Sequence, residues 1–106
     1  MMQIERHPQV DIDVDEALAY TFREFGPAQV LIYESLIVEG LTTLRHHPTI
    51  GQLREDVSPG IRVFCVARAG IKAPHGYVYR VKGNLIQIAR FVHLARYLPA
   101  LIPDDF

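Results

Sequence analysis

Cysteine is almost missing from this chain: Cys65 stands alone, so no disulfide forms within it, which fits a reducing compartment. Long apolar runs are missing too, and none approaches the roughly 18 residues of a membrane span. The first ten residues are polar and carry Glu5, Arg6 and His7, unlike a signal peptide. The expectation is therefore a cytoplasmic protein with no membrane association. There is no Gly-rich phosphate-cradling loop, no nucleophile motif, no internal repeat and no low-complexity segment. No cofactor is expected.

What is present is ordinary for a folded domain. A chain of 106 residues reads as a single domain spanning 1–106, and 49% hydrophobic with 22% charged residues is close to average. So short a chain folds with little margin, and binding a partner would change its stability considerably. The net charge of −1 conceals a division. Residues 1–60 carry four Lys/Arg against ten Asp/Glu, a net of −6, whereas residues 61–106 carry seven against two, a net of +5. Such asymmetry concerns partners, or simply two differently solvated surfaces.

Hydrophobic spacing orders the elements. Residues 2–10 read as a short strand that Pro8 places at an edge or ends early. Val14, Ala17, Leu18, Thr21, Phe22 and Phe25 form one helical face, with Asp13 and Glu16 as a capping box at its start. Gly26-Pro27 stops this helix and opens a second, from about Pro27 to Arg45. Val30, Tyr33, Ile37, Leu41 and Leu44 form its stripe, broadened by Leu31, Ile32 and Leu36. Gly40 inside it marks a close backbone approach. The short connection predicts an antiparallel helix hairpin, and Pro48 to Gly51 is its exit turn.

Three strands follow: Ile61 to Ala67, Tyr77 to Val81, and Leu85 to Val92. Lys82-Gly83-Asn84 joins the last two as a tight hairpin, and Arg68 to Gly76 reads as a long, mobile hairpin loop. The order predicts an α+β domain: an N-terminal strand, the helix hairpin, a three-stranded antiparallel meander, and a short C-terminal tail of at most a turn or two of helix. Alternation puts Ile61, Val63 and Cys65 on one face, with Cys65 a buried, inert thiol, and Arg62, Phe64 and Val66 on the open one.

Some constellations are weak. Asp11-x-Asp13-x-Asp15 lacks the Gly and distal Glu of a calcium loop and suits a helix start better. His46-His47 has no further Cys or His at ligand spacing, so no metal is expected.

Six pieces in order do carry a resemblance. They are Asp13 to Tyr20, Gly26-Pro27-Ala28, Pro48-Thr49-Ile50-Gly51, Pro59-Gly60-Ile61-Arg62, Tyr79-Arg80-Val81, and Ile88 to His93 with Arg96. Over residues 10–98 the chain resembles the ParE branch of the RelE/ParE toxins. It departs from that pattern in the long Arg68–Gly76 segment and in a tail carrying Pro99 and Pro103.

The resemblance implies a type II toxin, with two target classes on one fold. ParE-like relatives bind and inhibit DNA gyrase; RelE-like relatives cut mRNA in the ribosome. The second chemistry needs a base, an acid and cations around the phosphorane. Arg62, Arg80, His93 and Arg96 are the candidates for it, with Tyr97 a weaker acid. An Arg followed by Phe64 and Val66 suits a partner groove better than an RNA backbone. The net charge is also poor for ribosome binding. A third class is a degenerate member that binds its antitoxin without toxicity. The partner implied is a ParD-like antitoxin whose disordered C-terminal segment folds on binding. Its candidate contacts are Arg62, Phe64, Val66, Val78, Arg80 and Arg90. Arg90 shares a row with Ile86, Ile88 and Val92; if that row faces the core, Arg90 needs a helix carboxylate such as Glu24 or Glu34. His93, at a strand end, has a structural reading beside the catalytic one. Nothing resembles a sequence-specific DNA-reading element.

Overall fold

In the computed structural model, which describes residues 2–68 and 71–106, the element order is that of the sequence reading with one added strand. It runs β1 (Gln3–Arg6), α1 (Pro8–Phe25), α2 (Pro27–His46), β2 (Gln52–Leu53), β3 (Arg62–Arg68), β4 (Ile71–Lys82), β5 (Leu85–His93) and a 3₁₀ turn (Leu98–Leu101). The strands form one sheet in the order β1-β5-β4-β3-β2. β1 pairs with β5 in parallel, and the other neighbours are antiparallel. As expected from Pro8, β1 is short and lies at an edge.

α1 starts earlier than its acidic run implies. Pro8 occupies the first turn, where a missing N–H is harmless. His7 is the cap, its Nδ1 accepting from the Gln9 N–H at 3.1 Å. The expected capping box at Asp13 is therefore corrected: Asp13 lies in the second turn and is buried. Gly26, with φ of +85°, ends α1, and Pro27 opens α2. Gly40 is required by a close approach, since a Cβ there would stand 2.9 Å from a Val66 methyl and 3.0 Å from the Tyr77 ring. That agrees with its reading from sequence.

The predicted Arg68–Gly76 loop is also corrected. β4 begins at Ile71 and pairs Ala67 with Lys72, so strand replaces most of the loop; Ala69 and Gly70 lie outside the described residues. Pro74 is tolerated in a strand because it falls opposite the register shift between Cys65 and Ala67, where the ladder needs no donor.

The sheet is covered on both faces. Under the helices lie Val10, Ala17, Tyr33, Leu36, Ile37, Leu44, Val66, Tyr77, Tyr79, Ile86, Ile88 and Phe91, with Phe64 packed against them. On the opposite face Val57, Ile61, Val78 and Val92 meet Leu98, with Val63, Leu101, Ile102 and Phe106 against them. The tail is thus a lid on the second sheet face. Phe22 and Phe25, expected in the core stripe, are exposed at 58% and 67%, whereas Val10, Val14, Ala17 and Leu18 of the same helix join the apolar cluster. Cys65, expected to be buried, is exposed; its thiol donates to the Ala73 carbonyl at 3.1 Å.

Candidate functional site

The site residues singled out by sequence do not converge. Arg62 lies beside the turn after α2 and donates to the carbonyls of Gly51 at 2.8 Å and Thr49 at 3.2 Å. Tyr79 supports the same turn, donating its hydroxyl to Pro48 O at 2.7 Å and accepting the Gly51 N–H at 3.0 Å. Phe64 and Val66 face the helices, so the open face assigned to them is in fact covered. Val78 is buried at 1% exposure beneath the tail. Arg80 donates to Gln87 Oε1 at 2.8 Å and lies 4.0 Å from the centre of the Phe106 ring, a cation–π contact that helps hold the tail.

Arg90 answers the question of its direction. It meets Asp13 in a two-pronged pair, Nε to Oδ2 at 2.7 Å and Nη2 to Oδ1 at 2.8 Å, and Nη1 reaches the Leu101 carbonyl at 3.0 Å. Asp13 Oδ2 also accepts the Phe91 N–H at 3.1 Å, and Gln9 donates to Oδ1 at 3.2 Å. A helix carboxylate does pair with Arg90, but it is Asp13 and neither Glu24 nor Glu34. The bond to Asp13 pushes the Arg90 guanidinium above its ordinary range. One cluster therefore ties α1, β5 and the tail together. Three of the seven Lys/Arg in residues 61–106, Arg62, Arg80 and Arg90, are thus engaged within the fold, while Arg96 and His93 are exposed at one end of the sheet.

That end holds a cavity of about 500 Å³ lined by Tyr20, Phe25, Tyr33, Leu36, His75 and His93 among others. β4 and β5 set the two histidines directly across from each other, with ring centres 5.5 Å apart. His75 stacks on Phe91 and hydrogen-bonds Tyr33 through Nδ1. Burial, with the neighbouring His93 second, lowers the His75 pKa to about 4. Burial also raises the Tyr33 phenol above its ordinary range. The sequence reading missed this pair because it put His75 in a loop; only the strand register brings it to His93. Among the described residues no group of His, Cys, Asp and Glu is suited to hold a metal.

The sign of the His75 effect follows from its lowered pKa. Between about pH 6.5 and pH 4 the unfolded chain takes up a proton that folded His75 refuses. Its contribution is full above about 6.5, falls as pH drops, and is flat below about 4. Discounted by roughly half for solvent contact, the loss is about 1–2 kcal/mol. Urea denaturation at pH 7 and pH 4.5 measures it: His75→Phe is expected to lose less stability on acidification than the parent. An equal loss would place the acid sensitivity elsewhere.

A chain of the chromosomal ParDE TA system from P. aeruginosa superposes with a TM-score of 0.71 at 28% identity, over 88% of this chain and 96% of that one. This is a ParE-like toxin fold. No protein-family model matches the sequence, and no curated protein does. The likeness takes in the helix hairpin and the sheet together, agreeing with the resemblance read from the six sequence pieces. Within this ParE-like frame the ribonuclease candidates stay apart: Arg62 is beside the turn after α2, Arg80 is under the tail, and His93 and Arg96 are at the cavity end. No helix of the described residues is long and apolar enough to cross a membrane.

Proposed function

We propose that this protein is the toxin of a type II toxin–antitoxin pair, that DNA gyrase is its target, and that a ParD-like antitoxin neutralises it. The observation that carries the reading is the likeness to a ParDE chain over nearly the full length of both. The dispersal of Arg62, Arg80 and His93 favours a binding inhibitor over a ribonuclease. Transfer of a proton from a ribose hydroxyl and stabilisation of a phosphorane need base and cations within a few ångströms of one phosphate. Here Arg62 and Arg80 are engaged in separate internal contacts.

We place the antitoxin contacts elsewhere than the sequence reading does. Of the six contacts named there, Val66 and Val78 are buried and Arg90 is bound to Asp13. Apolar side chains that stay outside, Phe22, Phe25 and Leu31 on the helix hairpin, replace them in the proposal. The test is paired: purified protein in a gyrase supercoiling assay, and in translating ribosomes with mRNA cleavage mapped. Inhibited supercoiling with intact mRNA supports the proposal. Codon-linked cleavage with unaffected supercoiling would establish the ribonuclease reading instead.

A further inference from the structure

The cavity at the end of the sheet has a polarity that follows from two hydrogen bonds. A backbone N–H only donates, so the Ala95 N–H at 3.1 Å from His93 Nδ1 makes that nitrogen an acceptor. The neutral ring then carries its proton on Nε2. Tyr33 gives the same result at His75. A phenol O–H is a stronger donor than an imidazole N–H, and an imidazole nitrogen a stronger acceptor than a phenol oxygen, so the Tyr33 hydroxyl donates to His75 Nδ1. Neutral His75 therefore also carries its proton on Nε2. No buried side-chain polar atom lacks a partner among the described residues. The described hydrogen bonds give neither Nε2–H an acceptor, and both residues line the cavity.

Two N–H donors on neighbouring imidazoles, set edge to face with ring centres 5.5 Å apart, suit a group with two acceptor oxygens. The surroundings narrow the class. No carboxylate lines the cavity, and its walls include Tyr20, Phe25, Tyr33 and Leu36. Its volume of about 500 Å³ is that of a small-molecule site. Arg96 borders the adjoining groove together with both histidines and adds positive charge; Glu16 and Asp13 border it too, Asp13 already neutralised by Arg90.

We propose that this cavity binds an apolar carboxylate, its ring or alkyl body against the aromatic walls and its oxygens accepting from Nε2–H of His75 and His93. The carboxylate belongs either to a free organic acid or to the C-terminal residue of a peptide. This inference goes beyond the toxin reading and does not depend on which machine the protein poisons.

Amide-shift titration of the full-length protein tests it, with 3-phenylpropionate and its neutral counterpart 3-phenylpropan-1-ol as probes, and a tetrapeptide ending in phenylalanine with its C-terminal amide. Saturable shifts around His75, His93 and Tyr33 are expected with the acid, with affinity at least tenfold weaker for the alcohol. His93→Ala is expected to abolish that preference and His93→Gln, which restores an N–H donor, to recover part of it. Both variants change an exposed side chain, and unchanged shifts in β1 and α2 confirm their fold. Tighter binding of the free-carboxylate peptide than of the organic acid assigns the site to a peptide terminus, and the reverse assigns it to a free acid. Equal affinity for acid and alcohol, or no binding of any probe, would overturn the proposal.

Discussion

Replacing Asp13 with alanine is expected to destabilise the fold by about 3–5 kcal/mol, the usual cost of breaking a buried ion pair from one side. Asp13 has 3% side-chain exposure and Arg90 15%, so the guanidinium left behind has little water to take the place of the carboxylate. The Phe91 N–H loses its acceptor at the same time. For a domain of this size the melting temperature is expected to fall by about 15 °C or more. The effects of Asp13→Ala and Arg90→Ala are expected to be far from additive, since either change dismantles the same cluster. Thermal and urea denaturation of both single variants and the double variant measure the coupling. Additive losses below about 1 kcal/mol each would show that the cluster contributes little to stability.

Ending the chain at Tyr97 is expected to cost about 4–6 kcal/mol through lost apolar burial. Leu98 is 3% exposed, and Leu101, Ile102 and Phe106 complete the apolar cluster on that face. The truncation also removes the carbonyl that receives Arg90 Nη1 and the Asp105 carboxylate that receives His7 Nε2 at 2.8 Å. A loss of this size approaches the whole stability of a small domain. The truncated chain is expected to unfold at much lower urea and, where still folded, to bind a hydrophobic dye over Val78 and Val92. An unchanged midpoint with no dye binding would mean that the tail does not protect the sheet.

These two features mark where sequence reasoning stopped. The helix hairpin was legible because Gly26-Pro27 punctuates it and because Tyr33, Leu36, Ile37, Gly40 and Leu44 do form a buried stripe. The strand from Tyr77 to Val81 was legible because its alternation matches two differently filled faces, Tyr77 and Tyr79 under the helices and Val78 under the tail. Asp13 was misread because acidic residues near a helix start normally cap it. Its real role depends on Arg90, 77 positions away, which no local pattern reveals. Gly76 and Pro74 concealed strand in the same way, since a β-bulge removes the usual objection to proline. The tail looked like a loose end because Pro99 and Pro103 break its helical spacing, yet apolar contact with the sheet needs no helix. The candidate site suffered most. Alternation put Arg62, Phe64 and Val66 together correctly, but the sheet's free face was chosen wrongly, and the histidine pair appears only once β4 and β5 are in register.

Gyrase binding, the action proposed for this ParE-like chain, is tested most directly by a supercoiling titration. Increasing amounts of the purified protein are expected to stop DNA gyrase from supercoiling a relaxed plasmid, and prior mixing with the cognate antitoxin to restore the reaction. Full supercoiling at a large molar excess of folded protein, with mRNA cleaved in translating ribosomes by the same preparation, would contradict it.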